Sequence, residues 1–320
     1  MVLHGNRLED LRDLMVRRLK ADPLPPLCPE VVLVQSNGMK HWLELALADE
    51  TALGICAATK LELPGNFLWQ VYRKVLGAGA VPARMPFDKS TLAWRLMRLL
   101  PEVSQQGAVY APLRRYLADD ADGRRKYQLA LQIADVFDGY QSYRADWLAD
   151  WSAGRDVLNA EAKNAVIGEA HAWQPHLWRA LQADVVATQG KSRVASRAEV
   201  HRRFMSAIHD LAVQADASEI AEQLAGLPPR IIVFGISSLP MQIVEALAAL
   251  GQVRQVLMFV QNPCRHYWGD LFGDPGDCCK AGHPLLASWG QQGRDYLHLL
   301  DECGTQEKYR QPAQKVEVFV

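Results

Sequence analysis

Apolar positions recur along the chain with two different periods, and the change of period divides it. Within residues 1 to 80, short apolar runs are each followed by an apolar stripe at helical spacing. "MVLH" precedes "RLEDLRDLMVRRLK", "VVLV" precedes "KHWLELALADE", and a segment around "ICAATKLELP" precedes "NFLWQVYRKVL". Four successive apolar residues, Val31 to Val34, suit a strand covered on both faces, and Trp42, Leu43, Leu45, Ala46 and Leu47 then recur as a helix does. This alternation predicts a parallel sheet with crossover helices. From about 81 to 200 the strand signal disappears. "STLAWRLMRLL", "KYQLALQIADVFDGYQSYR" and "EAHAWQPHLWRALQADVVATQ" each place apolar residues at i, i+3, i+4 and i+7. The first pattern returns with a helix over 196–213, the strand "RIIVFGI" behind a Pro-Pro pair, the helix "MQIVEALAAL" and the strand "QVLMFV". The expectation is an α/β domain, residues 1–80 and 200–320, interrupted by a helical insertion over 81–199. The final "KVEVFV" alternates as a strand with no partner or closing turn after it, and is read as the point where a longer protein has been cut.

With 320 residues, 49% of them hydrophobic and 22% charged, the chain can fill two cores. No apolar run approaches the length of a bilayer crossing, and "MVLHGNRLEDL" lacks the layout of a signal peptide, so a cytoplasmic protein without a membrane partner is expected. A formal net charge of −1 excludes a surface that soaks up polyanions generally, so any nucleic-acid role must be local or shared with partners. The six cysteines form no framework. Cys278 and Cys279 between His266 and His283 could hold a metal, but reduced, partly exposed thiols are the simpler reading.

The turn "QSNGMK" lies where ligands of open α/β sheets bind, yet it has one glycine and no Ser or Thr after the lysine. Three other positions test for a nucleotide site. "LHGNRLEDL" has Gly5 and Arg7 but no glycine series and no Lys-Ser/Thr. After "IIV" stand Phe234 and Gly235 where Mg²⁺ and water would need Asp-Glu, and after "QVLMFV" stand Gln261, Asn262, Pro263 and Cys264 where Gly-Asp-x-x-Gln would be needed. Together they read as a helicase-like scaffold that has lost ATP.

The combination of "LHGNRLEDL", "VVLVQSNGMKHWLELALA", "ELPGNFLWQVYRKVL", "ADVFDGYQSYRADWL", "IIVFGISSLP", "NPCRHYWGD" and "HPLLASWGQQGRDY" resembles the RecC family, the gamma chains of exodeoxyribonuclease V, over essentially all 320 residues. The resemblance implies a superfamily 1 helicase-like fold without working ATPase motifs. It implies a non-catalytic subunit that holds RecB-like and RecD-like partners, splits forked DNA and scans the emerging single strand for the hotspot sequence Chi in double-strand break repair. ATP and Mg²⁺ are then used by the partners and no cofactor by this chain. The rival readings are a protein-interaction scaffold that does not read DNA, and an active ATP-dependent helicase.

Each candidate site residue has a plainer alternative. Gln35, Asn37 and His41 carry groups suited to base edges; on the residues alone, a plain Asn37-Gly38 turn with His41 capping locally is favoured. The resemblance places the reading residues here, with Asn37 where Thr is usual and His41 where Gln is usual. Trp69 could stack on a base, although burial beside Phe67, Leu68, Val71 and Tyr72 is favoured without the resemblance, which puts Trp69 and Leu63 along a single-strand channel. Asp135 and Asp138 share a helix whose stripe of Leu129, Ile133, Val136, Phe137 and Tyr140 should be buried. For catalysis the bland reading, a solvated face, is favoured. The resemblance supports Asp135, Asp138 and Arg144 on that helix, Val136 in place of a Leu, and Arg197 further on; Gly139 stands in place of a Gln. The "RRK" at 124–126, flanked by Asp119, Asp120 and Asp122, is expected to be a solvated turn, while "HRRF" at 201–204 could meet phosphates. Trp94, Trp147, Trp151, Trp173 and Trp178 read as core.

Overall fold

The computed structural model describes residues 1–83, 85–158, 165–190, 196–214, 224–263, 268, 286, 289–307 and 317–318. The strands are β1 (Val2–Gly5), β2 (Glu30–Leu33), β3 (Thr59–Glu62), β4 (Val157–Leu158), β5 (Ala165–Val166), β6 (Arg230–Phe234), β7 (Gln255–Gln261) and β8 (Glu317–Val318). The helices begin with α1 (Leu8–Ala21), α2 (Asn37–Ala48), α3 (Pro64–Leu76), α4 (Lys89–Val103), α5 (Ala111–Leu117) and α6 (Arg124–Tyr143). They continue with α7 (Ala145–Ser152), α8 (Trp173–Gln189), α9 (Arg197–Gln214), α10 (Met241–Gly251) and α11 (Gln291–Glu307). Two compact units result, Met1–Val71 with Ala207–Val320, and Tyr72–Ser206.

In the first unit six strands lie in the order β3-β2-β6-β7-β1-β8, and every pairing is parallel. Val31 to Val34 are all buried, as a strand covered on both faces requires. Val32, Ile232, Phe234, Leu257 and Phe259 of the sheet pack with Leu11 and Met15 of α1 and Leu43 and Leu47 of α2. Each such fully buried side chain contributes about 1.5–3 kcal/mol. Residues 317–318 pair with His4 and Gly5 of β1. Arg230 is buried at the start of β6. It donates to Glu30 Oε1 at 3.0 Å, the Asp22 carbonyl at 2.6 Å and Gln255 Oε1 at 2.7 Å, tying β2, β7 and the end of α1 to one guanidinium.

The second unit is helical apart from the antiparallel pair β4–β5, two residues each, in a span that carries no strand signal in sequence. Its core gathers Leu92, Leu96 and Leu100 of α4, Ile133 and Phe137 of α6, and Leu177, Trp178 and Leu181 of α8. Phe87 and Phe137 pack on Trp178 at ring separations of 5.0 and 5.6 Å. The basic "RRK" is the start of α6. Asp120 accepts from the Arg125 and Lys126 amides and Asp122 from the Arg124 amide, so three of the helix's orphan donors are satisfied. Two burial expectations fail. Trp94 is 68% exposed and lies 6.3 Å from the Tyr127 ring, and Val136 is 44% exposed. Of the other expected core tryptophans, Trp151 and Trp178 are buried and Trp147 and Trp173 half-buried. No described helix is long and apolar enough to cross a membrane.

Candidate nucleic-acid interface

Parallel strands end on one edge, and in this sheet that edge diverges between β2, which leads outward to β3, and β6, which leads the other way to β7. Ligands of open α/β sheets bind at such a crevice. Beyond β2 the chain runs through buried Val34, exposed Gln35 and Ser36 into α2. Ser36 Oγ accepts from the Met39 amide at 3.2 Å, so serine caps the helix and Asn37 is its first residue. Asn37-Gly38 is therefore a helix start rather than a free turn, which corrects that alternative. Gln35 and Asn37 are exposed, and the His41 side chain is 75% exposed with Nδ1 3.9 Å from Glu44 Oε2.

Asn37 and Leu63 line a common cavity of ≈ 280 Å³, together with Lys40, Glu62, Asn66 and Gln70. Glu62 pairs with Lys60 and accepts from Gln70 Nε2 at 3.3 Å. Half-buried Trp69 lies on α3 three residues after Asn66, on adjoining helix positions. Three side-chain amides, one lysine and one carboxylate therefore line this cavity.

The nucleotide positions look different. The first turn of α1 carries Glu9 and Asp10, which repel a phosphate at the helix N-terminus. Phe234 is fully buried, stacked on Trp42 at 6.3 Å and with the Phe259 ring tilted at 6.3 Å. Gly235 has φ +65°, and a β-carbon there would stand 2.9 Å from Leu8 Cδ2. Asn262 donates its backbone N–H to the Gly5 carbonyl at 2.8 Å, and its side-chain Oδ1 accepts from Trp268 Nε1 at 2.9 Å. Apolar packing and internal hydrogen bonds hold these places, and the residues do not fit a metal-bound triphosphate.

In the helical unit the remaining candidates are engaged with one another. Exposed Asp135 pairs with Lys89. Arg197 Nη2 lies 3.4 Å from Asp138 Oδ1 and 3.5 Å from Asp88 Oδ1, and its Nη1 donates to Ser142 Oγ at 3.3 Å. Burial pushes the Asp88 carboxyl above its ordinary range, with Arg197 opposing and Asp138 reinforcing that rise. Arg144 falls one residue beyond α6 rather than on it, pairs with Asp146 at 2.9 Å and lies 3.9 Å over the Trp147 ring. At Gly139 a β-carbon would meet open space. His201 is buried and hydrogen-bonds the Tyr72 hydroxyl at 2.9 Å, while Arg202 and Arg203 are exposed. No cluster of three metal-ligating side chains occurs among the described residues, and Cys264, Cys278, Cys279, His266 and His283 lie outside them.

The family described as "RecC, N-terminal domain" matches residues 1–318. The chain belongs to the RecC family. It is 34% identical over 357 residues to the RecBCD enzyme subunit RecC of Escherichia coli strain K12, covering 100% of this chain and 29% of that protein. It is 32% identical over 355 residues to the same-named subunit of Haemophilus influenzae, covering 94% and 30%. To that of Mycolicibacterium smegmatis it is 28% identical over 325 residues, covering 96% and 26%. The chain thus spans less than a third of the length of these relatives. Against this RecC-type background, Lys40, Asn66 and Gln70 are the edge residues that the sequence reading missed. Their signal was present, since Lys40 follows Asn37 by three and Gln70 follows Asn66 by four.

Proposed function

We propose that this chain is a non-catalytic, DNA-binding and scaffolding part of a helicase-nuclease of the RecBCD kind, on a degenerate superfamily 1 helicase-like sheet. It guides unwound single-stranded DNA from a forked end and takes part in reading a Chi-type hotspot. RecB-like and RecD-like subunits supply the motors, the ATP and the Mg²⁺, and the assembly works in the bacterial cytoplasm. The observation that carries this reading is the contrast along one sheet edge. Gln35, Asn37 and His41 stand exposed, while Phe234 and Gly235 are locked in apolar packing where a metal site would be. Amides and imidazole can pair with base edges; buried phenylalanine can hold no magnesium. Leu63 and Trp69 add an apolar and a stacking surface beside them. Asp135, Val136, Asp138, Arg144 and Arg197 form a second reading face on the helical unit.

The ion pairs of Asp135 with Lys89 and Asp138 with Arg197 favour a second reading, in which α6 is purely structural and the chain only scaffolds. Photocrosslinking of a single strand in the assembled complex separates the two. Crosslinks within residues 35–41 or 63–70 support DNA guidance, and their absence leaves the scaffold.

A further inference from the structure

A second cavity, of ≈ 230 Å³, opens where β6 and β7 end, with the start of α11 as another wall. Hydroxyls and amides line it, from Ser237 and Ser238 after β6 and from Gln261 and Gln292, and none of its described lining residues is charged. Two tryptophans border it with different roles. Trp268 is buried, its N–H donated to Asn262 Oδ1 at 2.9 Å. Its ring lies so close to α11 that β-carbons at Gly290 and Gly293 would come within 2.6 and 3.2 Å of it. Trp268 is thus a fixed wall. Trp289 is 86% exposed and offers an unused ring face. Tyr296, which lines the same cavity, is 2% exposed, and its hydroxyl has no hydrogen-bond partner. Burial raises the Tyr296 pKa, so that oxygen keeps its proton and remains a donor.

These features restrict the ligand. A phosphate needs cations and a divalent metal needs carboxylates, and the described lining offers hydroxyls, amides and aromatic rings instead. An aliphatic side chain would leave the buried hydroxyl and the amides unpaired. The volume is below that of sites for drug-sized molecules and suits one ring system. We infer that this cavity takes one unpaired nucleobase of a DNA single strand, stacked on Trp289 with its polar edge toward the Tyr296 hydroxyl and the amides of Gln261 and Gln292. The inference rests on the DNA-guiding reading above and adds a base site that none of its residues supplies.

The test is photocrosslinking of an oligothymidylate carrying one 5-iodouracil to the assembled complex, with crosslinked peptides mapped by mass spectrometry. A crosslink in the peptide containing Trp289 is expected. Trp289→Ala removes only an exposed side chain and should reduce this crosslink about tenfold. Tyr296→Phe keeps the ring and should weaken it several-fold. Both variants should leave crosslinks within residues 35–41 and 63–70 unchanged. Crosslinks at those residues with none at Trp289, or a Trp289 crosslink indifferent to both substitutions, would overturn the base site while the DNA-guiding reading stands. Crosslinks nowhere in this chain would overturn both.

Discussion

Arg197 Nη2 stands 3.4 Å from Asp138 Oδ1, so two residues that resemblance assigns to base reading form an ion pair with each other. Both side chains are about one-third exposed. The pair keeps unused acceptor and donor positions toward solvent, because a carboxylate has about four lone-pair sites and a guanidinium five N–H groups.

Replacing Arg197 should be felt first at Asp88. Burial already holds that carboxyl above its ordinary value, Arg197 pulls it down and Asp138 pushes it up. Arg197→Gln should therefore move the Asp88 titration to higher pH, read from its side-chain carbon shift by NMR. A raised folded-state pKa contributes stability that is present below the unfolded value and lost as pH rises through the folded one. The variant should shed that contribution at higher pH than the parent. An Asp88 titration that stays in place contradicts the geometry.

Arg230 is the corresponding test of the sheet. Its guanidinium is 2% exposed and faces Glu30, whose side chain is 12% exposed. Burial raises the Glu30 pKa and Arg230 opposes the rise. Arg230→Ala should cost about 3–5 kcal/mol in urea unfolding at neutral pH, because it strands a buried carboxylate. The cost should shrink as pH falls, because burial raises the Glu30 pKa and the loss of Arg230 removes what opposes that rise, so Glu30 takes up a proton above the ordinary carboxylate range. Arg230→Met with Glu30→Leu should recover much of the loss, since it removes the charge together with its partner.

What was legible in sequence follows from the range of the forces involved. β2 and α2 could be read because Val31 to Val34 are buried on both sides and the apolar stripe of α2 is local. The Lys89–Asp135 and Arg197–Asp138 pairs join residues 46 and 59 apart, and no local period encodes them. Trp94 was misjudged for a related reason: its apolar neighbours mark a helix, but only the packing of α4 on α6 decides which side of the stripe faces solvent. β4 and β5, at two residues each, are too short to show a period. The edges of the two units fall inside α3 and α9, where composition does not change.

The chain should neither bind Mg-ATP nor hydrolyse ATP. Phe234 lies in the core beside Trp42 and Phe259, and the α1 N-terminus presents Glu9 and Asp10. Gly235→Asp would add a carboxylate only at the cost of a left-handed backbone strained by its side chain and a clash with Leu8, so it should destabilise the chain by about 1–3 kcal/mol without conferring Mg²⁺ binding. Calorimetry on the parent and the variant is the check, and Mg²⁺-dependent ATP binding in the micromolar range by either would count against the reading.

Base readers and stacking residues should fail differently. Gln35, Asn37 and His41 present edge-pairing groups in solvent, while Trp69 presents a ring that every base can use. Asp135 belongs with the first set: its pair with Lys89 is exposed on both sides, at 66% and 53%, so the lysine is weakly held and a base can displace it. In the reconstituted helicase-nuclease, Gln35→Ala, His41→Ala and Asp135→Ala should weaken or alter the response to the hotspot and leave unwinding and bulk degradation near the parent rate, because the proposed function gives the motors to partner subunits. Loss of one polar base contact costs about 1–3 kcal/mol, a change of roughly fivefold or more in hotspot recognition. Trp69→Ala should instead reduce strand capture evenly across sequences, with its half-buried ring adding some loss of stability. The readout is a hotspot-cleavage assay run beside an unwinding assay on a strand of scrambled sequence. Gln35 and Asp135 variants that respond to the same hotspot as strongly as the parent would remove the reading role from this chain and leave it a scaffold.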